Sequence, residues 1–134
     1  MIAYIPNGTF NADEIKALFS SVQWAEDIPA ETLCKAMNNA SHYVIARSDD
    51  RLVGYIRSMD DNTWSANIDC VIVHKDFQRM GIASFMIEVL LNEIKHIKYV
   101  SVSPNELTVT PLYTKNGFVR IEGSSLFQIN QWIK

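Results

Sequence analysis

A strand pattern runs directly into a long helix pattern between residues 66 and 95. The strand pattern over 66–73 ends in Val71, Ile72 and Val73, which are apolar on both faces, as is typical of a central strand. A short polar segment follows. Apolar residues then recur at helical spacing over 81–95, and this stripe comprises Ile82, Phe85, Met86, Val89, Leu90 and Ile94. The chain is therefore expected to combine strands and helices in one fold.

Alternation along 66–73 predicts which side chains share a face of the central strand. It puts Ile68, Cys70 and Ile72 on one face, and Asn67, Asp69, Val71 and Val73 on the other.

Shorter patterns on both sides of this segment complete the order β-α-α-β-β-β-α-β-α-β-β. Asn11 and Glu14 have the spacing of a capping box, and Pro111 and Gly117 bracket a short helix. Strands are predicted over 2–5, 43–46, 52–59, 66–73, 99–102, 118–121 and 126–129, and helices begin near residues 11, 29, 81 and 110. The fold class is α/β or α+β, with a mixed sheet.

Composition limits what such a fold binds. The 134 residues are 48% hydrophobic and 20% charged, which predicts one soluble domain over 1–134. The net charge of −3 argues against nucleic acid and anionic membranes as partners, because both attract Lys and Arg. No metal site is expected, since the three histidines are scattered. Cys34 and Cys70 are predicted to be reduced, and without a signal peptide pattern a cytoplasmic protein is expected.

The segment 78–84, where the long helix begins, has the features of an anion site. A helix N-terminus presents unpaired N–H groups and a partial positive charge. Gly81 permits close approach of the backbone, and Arg79 adds a positive charge. The glycine patterns of dinucleotide and triphosphate loops are absent. From the residues alone, phosphate binding and a strand–turn–helix without a ligand both remain open.

Two segments resemble motifs of the GNAT superfamily of N-acetyltransferases. Gln78-Arg79-Met80-Gly81-Ile82-Ala83 is similar to the family's Gln/Arg-x-x-Gly-x-Gly/Ala pyrophosphate loop. Downstream, residues 110–118 (TPLYTKNGF) resemble its Pro-Phe-Tyr-x-Lys-x-Gly-Phe segment. The order of elements is similar to the family fold across nearly the whole chain. The resemblance implies a central, mostly antiparallel sheet flanked by helices.

The resemblance also implies acetyl-CoA as co-substrate, without a metal, and assigns residues to it. The loop amides would hold its pyrophosphate, the end of the central strand would pair with its pantetheine arm, and the strand over 99–103 would splay away to admit that arm. Tyr113 would be the general acid that protonates the departing thiolate. The cofactor-binding residues implied in this way are Val71, Ile72, Val73, Gln78, Arg79, Met80, Gly81, Ile82, Ala83, Ser84, Asn105 and Tyr113.

The acceptor and the general base are less constrained by the resemblance. Asp69 is the carboxylate on the central strand and is a candidate base; the family often has a bulge there, and bulk water is the alternative. Trp24 is either an acceptor-binding residue that attracts a cationic amine or a packed residue between two helices. The acceptor is a small-molecule or protein amine, and a homodimer through the last strands is compatible with the family.

Two other functions are alternatives to an N-acetyltransferase. One is a non-catalytic acyl-CoA-binding or sensor module with the same fold, and the other is an α/β nucleotide-binding protein. Tyr113 favours the enzyme, because a module that only binds has no use for an acid at that position.

Overall fold

The structure is a computed structural model that describes residues 1–104 and 110–121, with the backbone alone for Thr110. Its elements follow the predicted order. They are β1 (Ile2–Pro6), α1 (Ala12–Ser21), α2 (Ala30–Asn38), β2 (His42–Ser48), β3 (Arg51–Asp60), β4 (Ser65–Val73), a 3₁₀ turn (Lys75–Phe77), α3 (Ile82–Glu93), β5 (Tyr99–Val102) and α4 (Thr110–Thr114).

The first helices begin where local sequence signals place them. The Asn11 side chain accepts a hydrogen bond from the Glu14 amide at 2.8 Å, and the Glu14 carboxylate accepts one from the Asn11 amide at 3.1 Å. The predicted capping box is therefore confirmed, and it satisfies two amides that the helix itself leaves without partners. Pro29 is the N-cap of α2, and its fixed φ suits the entry to a helix.

The described strands form one sheet in the order β1-β2-β3-β4-β5. The first three pairings are antiparallel and the β4–β5 pairing is parallel, which confirms the mixed, mostly antiparallel sheet. Residues 118–121 are not a strand, so that prediction was wrong; the side chains of Val119 and Ile121 are exposed. The strand predicted over 126–129 lies outside the described residues.

Each face of the sheet carries its own hydrophobic core. On one face, α3 packs over β1, β2, β3 and β4, and on the other α1 packs against β3 and β4 and against α2. The α3 stripe differs from the prediction at two positions. Ile87 is buried, whereas Phe85 is 54% exposed and lies against the ring of Tyr4. Among the described helices, none has the length and apolar character needed to span a membrane.

Candidate active site

An extra residue in β4 changes the direction of its side chains halfway along. Tyr55 is paired with Ile72 and Arg57 with Asp69, so two residues of β4, at 70 and 71, lie opposite one residue of β3. Cys70 occupies this bulge with a φ of +51°, in the left-handed region. Ile68 therefore belongs to the core under α3, whereas Ile72 belongs to the core under α1 and α2.

The bulge overturns the faces predicted from simple alternation. Val71 and Val73 pack with the core under α3. Asp69 instead pairs with Arg57 on the α2 side of the sheet, where Arg57 also reaches the Ala36 carbonyl oxygen. Asp69 thus does not share a face with Val71 and Val73, because a period of two fails wherever the backbone contains an inserted residue.

The sheet opens beside the same bulge. The parallel pairing of β4 with β5 ends at Ile68 and Val102. Beyond that point, no described strand pairs with residues 69–73 of β4 on the β5 side. A cavity of about 760 Å³ occupies this opening. The backbone edge of β4 is therefore available along the cavity, as the sequence prediction of a splayed strand requires.

The cavity brings together most of the residues predicted for the site. Met80 does not line it and is 60% exposed. Asn105 lies outside the described residues. The predicted residues that do line the cavity are Trp24, Asp69, Val71, Ile72, Val73, Gln78, Arg79, Gly81, Ile82, Ala83, Ser84 and Tyr113.

The N-terminus of α3 forms one wall of the cavity. Gly81 is its N-cap, with a φ of +82° and no side-chain hydrogen bond to cap the helix. The first hydrogen bond of the helix runs from the Phe85 amide to the Gly81 carbonyl oxygen, at 3.1 Å. The amides of residues 82–84 therefore have no partner within the helix. Arg79, also left-handed with a φ of +64°, lines the same wall. This geometry suits an anion, because free N–H groups and the positive end of the helix dipole coincide.

The side chain of Gln78 connects this loop to the end of β4. Its Nε2 atom donates a hydrogen bond to the Val73 carbonyl oxygen at 3.2 Å. The loop and the strand edge therefore keep a fixed relation to each other, although Gln78 itself is exposed.

Tyr113 lies on α4 and closes the cavity from the side of the α3 core. Its residue is 7% exposed, and its ring meets that of Phe118 edge-on, with 5.8 Å between centroids. Burial raises the pKa of the phenol above its ordinary value, so the hydroxyl stays protonated at neutral pH. No hydrogen bond joins this hydroxyl to another residue of the described ranges. It is a neutral proton donor without a hydrogen-bond partner among residues 1–104 and 110–121.

Two polar side chains of β4, Asp69 and Cys70, line the cavity in different states. Both carboxylate oxygens of Asp69 accept hydrogen bonds from Arg57, through Nε and, at 3.3 Å, through Nη2. The pair with Arg57 occupies one acceptor position on each oxygen, so a role as a base depends on the lone pairs that remain on this partly exposed carboxylate. Burial raises the pKa of the Cys70 thiol to about 11, so it carries little thiolate at neutral pH.

Other lining residues were not predicted from the sequence. Val22, Phe77 and Leu112 contribute apolar surface, and Cys70 contributes its thiol. Leu112 lies in the motif segment 110–118, whereas Val22, Cys70 and Phe77 belong to neither motif, and only the tertiary fold brings them together. Trp24, in the α1–α2 connection, is 40% exposed and packs one side against Phe19, 6.3 Å between ring centroids. Within the part of the chain that the structure describes, no three His, Cys, Asp or Glu side chains are grouped to bind a metal ion.

Comparisons with known proteins show which family the chain matches. The family described as the acetyltransferase (GNAT) domain matches residues 8–132. An uncharacterised N-acetyltransferase, ycf52, of Pyropia yezoensis is 29% identical over 119 residues, which are 85% of this chain and 68% of that relative. A second ycf52 protein, of Porphyra purpurea, is also 29% identical, over 66% of its own length. The chain thus spans about two thirds of the length of these relatives.

Solved structures show the same fold. An acetyltransferase of the GNAT family from Streptococcus pneumoniae has a TM-score of 0.82 at 23% identity, covering 98% of this chain and 99% of its own. An aminoglycoside N-acetyltransferase in complex with CoA has a TM-score of 0.71 at 13% identity, covering 98% of this chain and 95% of its own.

Proposed function

Because the chain belongs to the GNAT acetyltransferase family and is an acyltransferase, we propose that it transfers an acetyl group from acetyl-CoA directly to a primary amine. The observation that carries this proposal is the opening between β4 and β5, where a free strand edge, a free helix N-terminus and a buried tyrosine line one cavity.

The cavity has separate features for the two polar parts of acetyl-CoA. The pantetheine arm of acetyl-CoA contains amide groups, and a strand edge can hydrogen-bond to these groups as it does to an added strand. Residues 71–73 offer that edge, apart from the Val73 carbonyl oxygen, which accepts a hydrogen bond from Gln78. Its pyrophosphate is an anion, and the amides of residues 82–84 offer N–H donors, with Arg79 beside them. These residues fit the ligand without a large number of basic side chains.

The remaining chemistry falls to backbone and side-chain groups of this chain. The thioester of acetyl-CoA supplies an activated acetyl group and a sulfur leaving group. A backbone N–H of residues 71–73 would donate a hydrogen bond to the thioester oxygen and stabilise the charge that develops there. Tyr113, neutral because its pKa is raised, would donate its proton to the departing sulfur. The amine proton would leave to water or to a lone pair of Asp69 that Arg57 does not occupy.

The Cys70 thiol supports direct transfer in a ternary complex over an acetylated enzyme. Of the two cysteines, Cys70 lines the cavity. Burial raises its pKa to about 11, and a thiol rather than a thiolate is a poor nucleophile at neutral pH.

Trp24 supports a cationic acceptor, either a small molecule or a protein amine. Its half-exposed ring and the carboxylate of Asp69 line one cavity, and both attract ammonium groups. A homodimer, a cytoplasmic location and the absence of nucleic-acid and membrane partners stay predictions from the sequence.

The test is a panel of primary amines incubated with acetyl-CoA, with thiol release followed for the wild type and for Tyr113→Phe. We expect amine-dependent thiol release by the wild type, reduced about 100-fold or more in kcat by the variant. The affinity for CoA should not change, because phenylalanine keeps the ring contact with Phe118. CoA binding without turnover of any amine would instead support a non-catalytic acyl-CoA-binding module. Undiminished turnover by Tyr113→Phe would exclude the proposed role of that hydroxyl.

A further inference from the structure

Lys16 makes an unusual set of contacts for a lysine on a helix surface. Its Nζ atom donates hydrogen bonds to the carbonyl oxygens of Ala25 at 2.8 Å, Glu26 at 3.1 Å and Ile28 at 2.6 Å. An ammonium group has three N–H donors, and all three are used here. The α1–α2 connection therefore folds around a single cation supplied by α1.

The same connection contains two strained residues. Gln23 has a φ of +61° and Ala25 a φ of +54°, a region that residues other than glycine rarely adopt. They flank Trp24, whose amide donates to the Phe19 carbonyl oxygen at 3.1 Å. Strained backbone persists only where the surrounding contacts outweigh its cost, and such residues concentrate at functional sites. The three bonds from Lys16 are such contacts.

The first part of this connection lines the cavity, through Val22 and Trp24. Val22 packs with the core under α1 and α2, and Trp24 packs against Phe19 of that core, so both lie on the side of the sheet where Asp69 pairs with Arg57. The helix N-terminus of α3 and Arg79 form a different wall. The surface of Val22 and Trp24, here called the acceptor wall, thus faces the part of the cavity that the anion-binding loop does not occupy.

We propose that Lys16 is a positioning residue that holds the acceptor wall in its binding conformation for a cationic primary amine. This inference rests on the proposed function. Lys16 uses all its donors on backbone carbonyls and so acts on the acceptor through Trp24, without contacting it. A wall ordered before binding spares the acceptor the entropy of ordering it.

The test is Lys16→Met, which keeps the aliphatic stem and removes the three donors. We expect the KM of the amine to rise about tenfold, since hydrogen bonds from a charged group are among the stronger ones in proteins. The KM of acetyl-CoA should change less than about twofold, because β4 and α3 are untouched. Hydrogen exchange should become at least about tenfold faster at the amide of Trp24, which is bonded to Phe19 of α1, and at the amide of Ile28, which is bonded to Ala25.

Lys35→Met is the matched control. Lys35 is an exposed lysine on the neighbouring helix α2 whose side chain makes no hydrogen bond or ion pair with another described residue, and its substitution should alter neither KM nor exchange. If Lys16→Met raises both KM values together, or leaves the amine KM and the exchange as in the wild type, the inference is wrong. Failure of the wild type to acetylate any amine would instead refute the proposed function. In that case, faster exchange at residues 22–28 in Lys16→Met would still establish that Lys16 orders the acceptor wall. Unchanged exchange in that variant would refute the ordering role as well.

Discussion

Gly81 and Gly117 share a backbone conformation but not a location. Their φ angles are +82° and +93°, and neither site is crowded: a Cβ at Gly81 would lie 3.8 Å from the Phe85 ring, and one at Gly117 would meet nothing within 4 Å. Alanine at either position should therefore cost only the left-handed backbone, about 1 kcal/mol of the free energy of unfolding. Only Gly81 is at the N-terminus of α3.

The pair of substitutions separates folding from ligand binding at the scale of one residue. Gly81→Ala should weaken CoA binding several-fold, because the strained residue moves the amides that follow it, whereas Gly117→Ala should leave the affinity unchanged. Urea unfolding measures the stabilities, and calorimetry measures the CoA affinity. Equal losses of affinity in the two variants would contradict a special role for the loop.

At the scale of the element, the bulge in β4 lies where the site opens, and its left-handed backbone lowers the stability of the fold. Cys70 holds a left-handed backbone at the point where β4 and β5 separate. A β-branched residue tolerates that conformation less well than an unbranched one. The free energy of unfolding of the Cys70→Val variant should therefore be about 1 kcal/mol lower than that of the Cys70→Ala variant, although valine buries more apolar surface. Thermal or urea unfolding of both variants measures the order, and a more stable valine variant would show that the bulge is not strained.

The bulge also marks the limit of what sequence patterns predicted. Strong local signals, such as the Asn11 and Glu14 capping box and the glycine before α3, gave the correct start of each helix. The predicted assignment of β4 side chains to the two faces of the sheet was wrong because Cys70 has a positive φ, and cysteine, unlike glycine, does not indicate one in a sequence.

Long-range contacts were missed for a related reason. The ion pair of Asp69 with Arg57 depends on the register of β3 against β4, which the bulge resets. The contacts of Lys16 depend on left-handed residues in a connection that contains no glycine. The motif residues could be found from the sequence, but the side chains that position them follow from tertiary packing.

At the scale of the whole molecule, an acidic chain is proposed to bind an anionic ligand. The net charge of −3 repels CoA at long range, whereas Arg79 and the amides of residues 82–84 attract it at short range. At physiological ionic strength charges are screened beyond about 8 Å, so the groups lining the cavity should dominate. The two contributions predict opposite responses to salt, which makes their balance measurable.

Raising NaCl from about 0.05 M to about 0.5 M should weaken CoA binding by a few-fold, because salt screens the local attraction. If long-range repulsion by the acidic chain dominated, the same change would strengthen binding. Calorimetry across the salt series gives the sign directly. Arg79→Gln supplies the control: it removes a cation that lines the cavity, so its affinity should be lower at low salt and should depend less on salt than that of the wild type. An unchanged dependence in this variant would mean that the salt-sensitive attraction comes from another charged group of the cavity, such as Lys115.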